Sequence, residues 1–187
     1  LSGPRYIHQR VMDEIINPTV RGMLADGHRY RGFLYAGLMI DLAGFPKVIE
    51  FNCRFGDPEA QVILPRLRTD LVSAMLATNS ASLHHFDMRW DPRAAVTVVM
   101  ASKGYPESYE KGSVIRAIDA AETVPDCNVF HAGTALADNG DLIAVGGRVL
   151  AVTALGDDAE TARRNAYAGV AKIDWHGGFY RSDIAKT

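Results

Sequence analysis

Ile7, Val11, Ile15, Val20 and Leu24 recur along RYIHQRVMDEIINPTVRGMLADG at helical intervals. Pro18 interrupts the run, because it has no N–H to donate and its ring opposes the preceding turn. The spacing therefore predicts two short helices or one kinked helix, ending near Gly27. In GFLYAGLMIDLAGFPKVIEFNCRF, two strand-like runs flank Ala43, Gly44, Phe45 and Pro46, a composition that favours a turn between antiparallel strands. GDPEAQVILPRL follows. Asp57 stands where an N-cap would, and Pro58 at a first helical position, where its missing N–H costs nothing. A short helix stopping before Pro65 is expected, then a second over about Thr69 to Ala77.

The stretch TNSASLHHFDMRWDPR is polar and aromatic without a clean period, which makes it the best boundary between two parts of the chain. The break is placed near Ser80, giving parts 1–80 and 81–187. Beyond it, AAVTVVMAS, SVIRAI, NVFHAGTAL, DLIAV and GRVLAVTAL read as strands separated by Gly-, Asp- and Pro-containing turns. DDAETARRNAYAGVAKI carries an Asp cap and places Ala162, Ala166, Val170 and Ile173 on one stripe. This is an amphipathic helix packing on the strands. The fold class is α/β (α+β), without internal repeats or low-complexity tracts.

Composition narrows the function classes. The 187 residues hold 20 basic and 22 acidic side chains. Scattered Lys and Arg give no basic face for nucleic acid. No apolar run reaches bilayer length and no signal-peptide pattern opens the chain. Cys53 and Cys127 lie too far apart in sequence for the close spacings of zinc ligands or a disulfide framework. A cytoplasmic protein with reduced thiols is expected. The chain starts at Leu1 and runs straight into an amphipathic segment, so a preceding N-terminal portion is expected as well.

Glu50 and Asn52 stand two apart on a predicted strand and project to one face, while Ile49, Phe51 and Cys53 project to the other. A carboxylate and an amide oxygen on one surface suit a hard cation such as Mg²⁺, which takes oxygen ligands and keeps places for substrate phosphates. Equally, the two side chains can line the solvated face of a half-buried strand. Arg54 keeps the same parity, Gly56 permits a sharp turn, and Asp57-Pro58-Glu59 opens a helix. A metal pair, a guanidinium that clamps phosphate or carboxylate, and a helix N-terminus thus fall within a few residues. Asp57 is equally a plain helix cap, and Glu59 a favourable first-turn charge. Further along, Gly146-Gly147-Arg148 combines close backbone approach with a cation for a sugar phosphate or nucleotide, or marks a simple turn. His131 reads as structural, His84-His85 lack a third ligand, and Lys103-Gly104-Tyr105-Pro106 reads as a turn that also suits a substrate-facing loop.

GFLYAGLMI followed by IEFNCRFGDPEAQ resembles the end of the ATP-grasp module of the phosphoribosylamine-glycine ligase (glycinamide ribonucleotide synthetase) family. SKGYPESYEKGSVI, VFHAGTAL, GGRVLAVTALG, the DDAETARRNAY helix and FYRSDI follow in the family's order. The resemblance spans nearly the whole chain but only the last part of the family's length. It implies the end of an ATP-grasp lobe followed by a mostly β, barrel-like or sandwich-hybrid domain. It also implies ATP-dependent joining of glycine to phosphoribosylamine through a glycyl phosphate, in purine biosynthesis. Glu50 and Asn52 would be ligands of Mg²⁺ (or Mn²⁺) on the ATP phosphates. Arg54 and Asp57 would be catalytic, and Asp57, Glu59, Gly147 and Arg148 would bind substrate. Expected partners are these small molecules and the N-terminal portion of the same enzyme. The phosphate-covering loop and adenine cradle belong to that portion, so the chain alone is expected to be inactive. Another carboxylate-amine ligase, or a non-catalytic module completing a split enzyme, are the alternatives.

Overall fold

The computed structural model describes residues 4–186 and divides into two compact units. One takes in the chain up to Gly56 together with Thr69–Met88. The other takes in Asp57–Arg68 and everything from Arg89 onward. The chain thus crosses between units at Gly56, Arg68 and Met88, whereas sequence reading places one break near Ser80.

The first unit opens with α1 (Pro4–Val11), a π-helical turn (Met12–Ile16) and α2 (Asn17–Ala25) in unbroken succession. The kink expected at Pro18 takes the form of that π turn. Pro18 cannot bond the carbonyl four residues back, and the wider turn just before it absorbs the mismatch. The Asn17 N–H accordingly reaches the Met12 carbonyl, five residues back. β1 (Tyr35–Ile40) and β2 (Pro46–Asn52) form the expected antiparallel hairpin. Its turn is held by Asp41, whose carboxylate accepts from the Ala43 and Phe45 N–H groups. Gly44 takes a positive φ of 82° there, and Pro46 starts β2, a strand position that needs no N–H donor. Arg10 ties the first helix to this turn: its guanidinium lies 4.2 Å from the Phe45 ring centroid and donates to the Gly44 carbonyl.

After Gly56 the chain enters the second unit for α3 (Glu59–Ile63), which tightens into a 3₁₀ turn over Leu64–Arg66 at Pro65. It then returns to the first for α4 (Leu71–Asn79), capped by the Asp70 carboxylate on the Ser73 N–H. The helix expected over Thr69 to Ala77 is therefore present, starting one cap later.

The rest of the second unit is built on β3 (Ala94–Ser102). SVIRAI, expected as a strand, makes only isolated bridges from Val114 to Ile143 and from Arg116 to Asp174. Its two pairings go to different segments, so no ladder propagates. At Ala117 the backbone turns left-handed (φ 62°) and starts α5 (Ile118–Glu122). NVFHAGTAL divides at Ala132-Gly133 into β4 (Cys127–His131) and β5 (Thr134–Leu136). β6 (Leu142–Ala144), β7 (Arg148–Gly156), α6 (Ala159–Val170) and the short β8 (Gly178–Phe179) complete the chain. The main sheet runs β4-β7-β3-β8, with all neighbours antiparallel, and β5 and β6 form a separate two-stranded sheet. No closed barrel forms among the described residues, which corrects the barrel expectation: the strands at the two ends of the main sheet are not joined to one another. The helix expected over the DDAETARRNAY segment is α6, capped by Asp158 on the Thr161 N–H. Its Ala162, Ala166 and Val170 lie in the core with Val98, Leu150 and Val152. That stripe faces the sheet because a helix repeats every 3.6 residues.

Candidate functional site

β2, in the first unit, carries Glu50 and Asn52. The register of β1 and β2 shifts between Gly37 and Leu38, leaving Ile49 without a direct partner. Because Glu50 and Asn52 both follow the bulge, their common face survives it. The Asn52 amide nitrogen donates to Glu50 Oε1 at 3.1 Å. The register also sets Gly37 opposite Glu50, where a Cβ would come within 3.0 Å of Glu50 Cγ. A side chain at position 37 would thus crowd the carboxylate, and glycine leaves it room. One carboxylate and one amide within hydrogen-bonding distance offer two hard oxygen donors and an open remainder. That donor set fits Mg²⁺ or Mn²⁺ shared with a nucleotide. No group of three or more His, Cys, Asp or Glu side chains fit to hold a metal exists among the described residues. Arg54 donates to the Phe55 carbonyl at 2.8 Å.

The remaining sequence candidates, Asp57, Glu59, Gly147 and Arg148, belong to the second unit. Asp57 does not cap α3, contrary to the sequence expectation. Pro58 occupies the N-cap position and no side chain caps that helix. The peptide between Asp57 and Pro58 is cis. The Asp57 carboxylate instead accepts from Gln61 Nε2 at 2.7 Å and Arg148 Nη2 at 3.1 Å. An acid and a base 91 residues apart in sequence thus meet at a half-exposed ion pair. Glu59 is the first residue of α3. Gly147 is buried and its carbonyl accepts from the Ser102 N–H. A Cβ on Gly147 would lie 2.3 Å from the Tyr105 ring and 3.2 Å from that of Tyr109. Its smallness is therefore used in packing both tyrosines against the start of β7.

Among the other sequence candidates, His131 bonds Thr134 Oγ1 through Nδ1 at 3.0 Å, the structural role expected of it. The His84 and His85 rings lie against one another, tilted by 46° with their centroids 3.9 Å apart. Gln61 escaped sequence reading. Besides binding Asp57, its Oε1 is buried with no donor among the described residues. An i,i+4 Asp-Gln spacing was the available signal, and the assignment of Asp57 as a cap obscured it.

Comparison with known proteins places this geometry. Residues 3–60 match the family model "Phosphoribosylglycinamide synthetase, ATP-grasp (A) domain", so the β1–β2 hairpin with Glu50 and Asn52 belongs to the ATP-grasp class, whose ligases use ATP with a divalent metal ion. Residues 95–187 match "Phosphoribosylglycinamide synthetase, C domain". The chain belongs to the phosphoribosylglycinamide synthetase family. The phosphoribosylamine–glycine ligase of Pseudomonas syringae pv. tomato is 54% identical over 178 residues, which are 95% of this chain and 41% of that protein. The chloroplastic ligase of the same name from Arabidopsis thaliana is 53% identical over 93% of this chain and 33% of its own length. The chain therefore spans about two fifths of such bacterial relatives. The crystal structure of the Thermotoga maritima phosphoribosylamine–glycine ligase superimposes with a TM-score of 0.77 at 37% identity, over 94% of this chain and 42% of that one. Kluyveromyces lactis urea carboxylase shares the fold alone, with a TM-score of 0.54 at 14% identity over 85% of this chain and 14% of its own. No helix among the described residues is long and apolar enough to cross a membrane.

Proposed function

We propose that the chain is the C-terminal part of a cytoplasmic ligase that joins glycine to 5-phosphoribosylamine at the expense of ATP. The products are glycinamide ribonucleotide, ADP and phosphate. The observation that carries this reading is the Glu50-Asn52 pair, a carboxylate and an amide on one face of β2 with the Asn52 amide nitrogen donating to Glu50 Oε1, within the segment that matches the ATP-grasp domain. The names of the relatives supply the substrates.

In this reading a glycine carboxylate oxygen attacks the γ-phosphorus of ATP and the bond to ADP breaks. The phosphoribosylamine nitrogen then attacks the carbonyl carbon of the glycyl phosphate, phosphate departs and the nitrogen loses a proton. Glu50 and Asn52 would hold Mg²⁺ or Mn²⁺, which would supply positive charge against the transferred phosphoryl group. Gly37 keeps the space that Glu50 needs to present its carboxylate. Arg54, two residues beyond Asn52, supplies a guanidinium for the anion. Asp57 and Glu59 at the start of α3 orient glycine or the amine. Arg148 is steadied by Asp57 and keeps donors for a carboxylate or phosphate. Gly147 shapes that contact through its packing on Tyr105 and Tyr109. Positioning of the phosphates falls to the preceding portion of the enzyme, and phosphoryl transfer depends mostly on positioning.

The test uses a complete ligase carrying this sequence. Glu50→Gln and Asn52→Ala should each lower ADP release by roughly 100-fold or more and weaken Mn²⁺ binding seen by electron paramagnetic resonance. The 187-residue chain alone should form no product. Full turnover in both variants would refute the metal assignment, and product from the isolated chain would refute its partial character.

A further inference from the structure

Gln61 sits at the centre of α3, a helix that lies against β3 and β7. Its Nε2 donates to Asp57 Oδ1 at 2.7 Å, whereas its Oε1 is buried with no donor among the described residues. Turning the amide over does not improve this arrangement. Oε1 would then face the Asp57 carboxylate, which offers only acceptors when ionised, and the buried end would become a donor without an acceptor. The bond to Asp57 therefore fixes the amide with its oxygen stranded. A buried acceptor without a donor is destabilising, and an apolar side chain of similar length would fill the space without that loss. Methionine, unbranched and adaptable, is such a side chain. Gln61 thus carries a local loss of stability together with an N–H group aimed at Asp57.

That N–H acts on a carboxylate whose two oxygens have separate partners. Asp57 Oδ1 accepts from Gln61 and Oδ2 from Arg148 Nη2 at 3.1 Å. The Asp57 and Arg148 side chains are 47% and 42% exposed, and an ion pair so open to water holds little by itself against side-chain entropy. Gln61 supplies a second point of attachment, from a half-buried position on α3. With one oxygen held there, rotation of the carboxylate is restricted and the other oxygen stays turned towards Arg148, the first residue of β7. The planar guanidinium is then held at one corner, which gives its other N–H groups a set direction. All three residues belong to the second unit.

We propose that Gln61 is a positioning residue, which sets the Asp57 carboxylate and through it the Arg148 guanidinium, and is kept at the expense of fold stability. The proposal rests on the ligase reading, in which Asp57 and Arg148 face substrate. The experiment places Gln61→Met and Gln61→Glu in the complete ligase carrying this sequence. Gln61→Met removes the stranded acceptor, while the half-exposed Asp57 oxygen it releases can turn to water. Its urea midpoint should therefore hold or rise. Its kcat/KM for glycine or phosphoribosylamine should fall about tenfold, as expected for losing a hydrogen bond to a charged group, with the KM for ATP unchanged. Gln61→Glu has the same size but sets two carboxylates against one another, so its kcat/KM should fall further. A purely structural role makes the opposite forecast, a midpoint and an activity that decline together in Gln61→Met. That outcome overturns the proposal, as do a parent-like kcat/KM in either variant and a loss confined to the KM for ATP. A complete parent enzyme that makes no glycinamide ribonucleotide refutes the ligase reading instead. The positioning is then read without turnover, by arginine side-chain NMR, with the Arg148 signal identified by its absence in Arg148→Lys. Hydrogen exchange at Arg148 Nε should be faster in Gln61→Met than in the parent, and an unchanged rate would sink the positioning role.

Discussion

The thiol of Cys127 is buried at the start of β4, where burial first and the charge of Glu122 second push it up to about 11. Cys53, just past β2, is exposed. Since the thiolate is the reactive form, iodoacetamide near pH 8 should alkylate Cys53 in the folded chain and leave Cys127 intact. Peptide mass mapping checks this, and comparable labelling of both would contradict the buried environment. Residues differ in how far their own neighbours in sequence define them. Glu50 and Asn52 could be paired on paper because a strand alternates with period two, and their contact needs nothing beyond that strand. Asp57 could not. Its local context of a proline and an acidic first turn imitates a cap, whereas its oxygens go to Gln61 and to Arg148, 91 residues on.

Helix α6 and strand β7 approach so closely that Gly169 has no room for a side chain. An added Cβ would meet Cys127 Sγ at 2.6 Å and Val152 Cγ1 at 3.0 Å. Alanine at a helix position normally gains about 1 kcal/mol over glycine. Overpacking a well-filled core costs roughly 1–3 kcal/mol, and here both contacts are with core side chains. Gly169→Ala should therefore lower the urea midpoint despite its better propensity, and adding Cys127→Ala should recover part of the loss. A midpoint raised by Gly169→Ala alone would show that the sheet yields more easily than its packing indicates. β3, β7 and α6 were readable as elements because each has a long, regular period. SVIRAI misled because a short alternating run carries no information on whether a continuous partner exists. α5 and β8 went unseen, each being five residues or fewer.

Across the second unit, Asp91 fastens the 57–68 segment to the chain that follows Arg89. Its buried carboxylate accepts from the Arg93 side chain and N–H and from Arg68, its carbonyl from Arg66, and its own N–H reaches the Arg66 carbonyl. The Arg93 bonds first, then Arg68, hold the carboxyl well below its usual 3.8. A folded value below the unfolded one means that the unfolded chain takes up this proton first as pH falls. The stabilisation is thus whole above about pH 4 and lost as pH drops through the lower folded value. Asp91→Asn should reduce stability at neutral pH and flatten the acid limb of urea midpoint against pH. An acid limb unchanged in the variant would remove Asp91 as its source. The same network marks the limit of what the order of residues conveys. Composition, the α/β alternation, the β2 pair and the motif order are local or linear properties, and they were sufficient for fold class and family. The assignment of Asp57–Arg68 to the second unit and the Asp57–Arg148 pair arise from contacts between segments distant in sequence. Such contacts are selected by packing and charge pairing in the folded chain, and no periodicity records them. Glu50 and Asn52 needed only a strand, and Asp57 needed the fold.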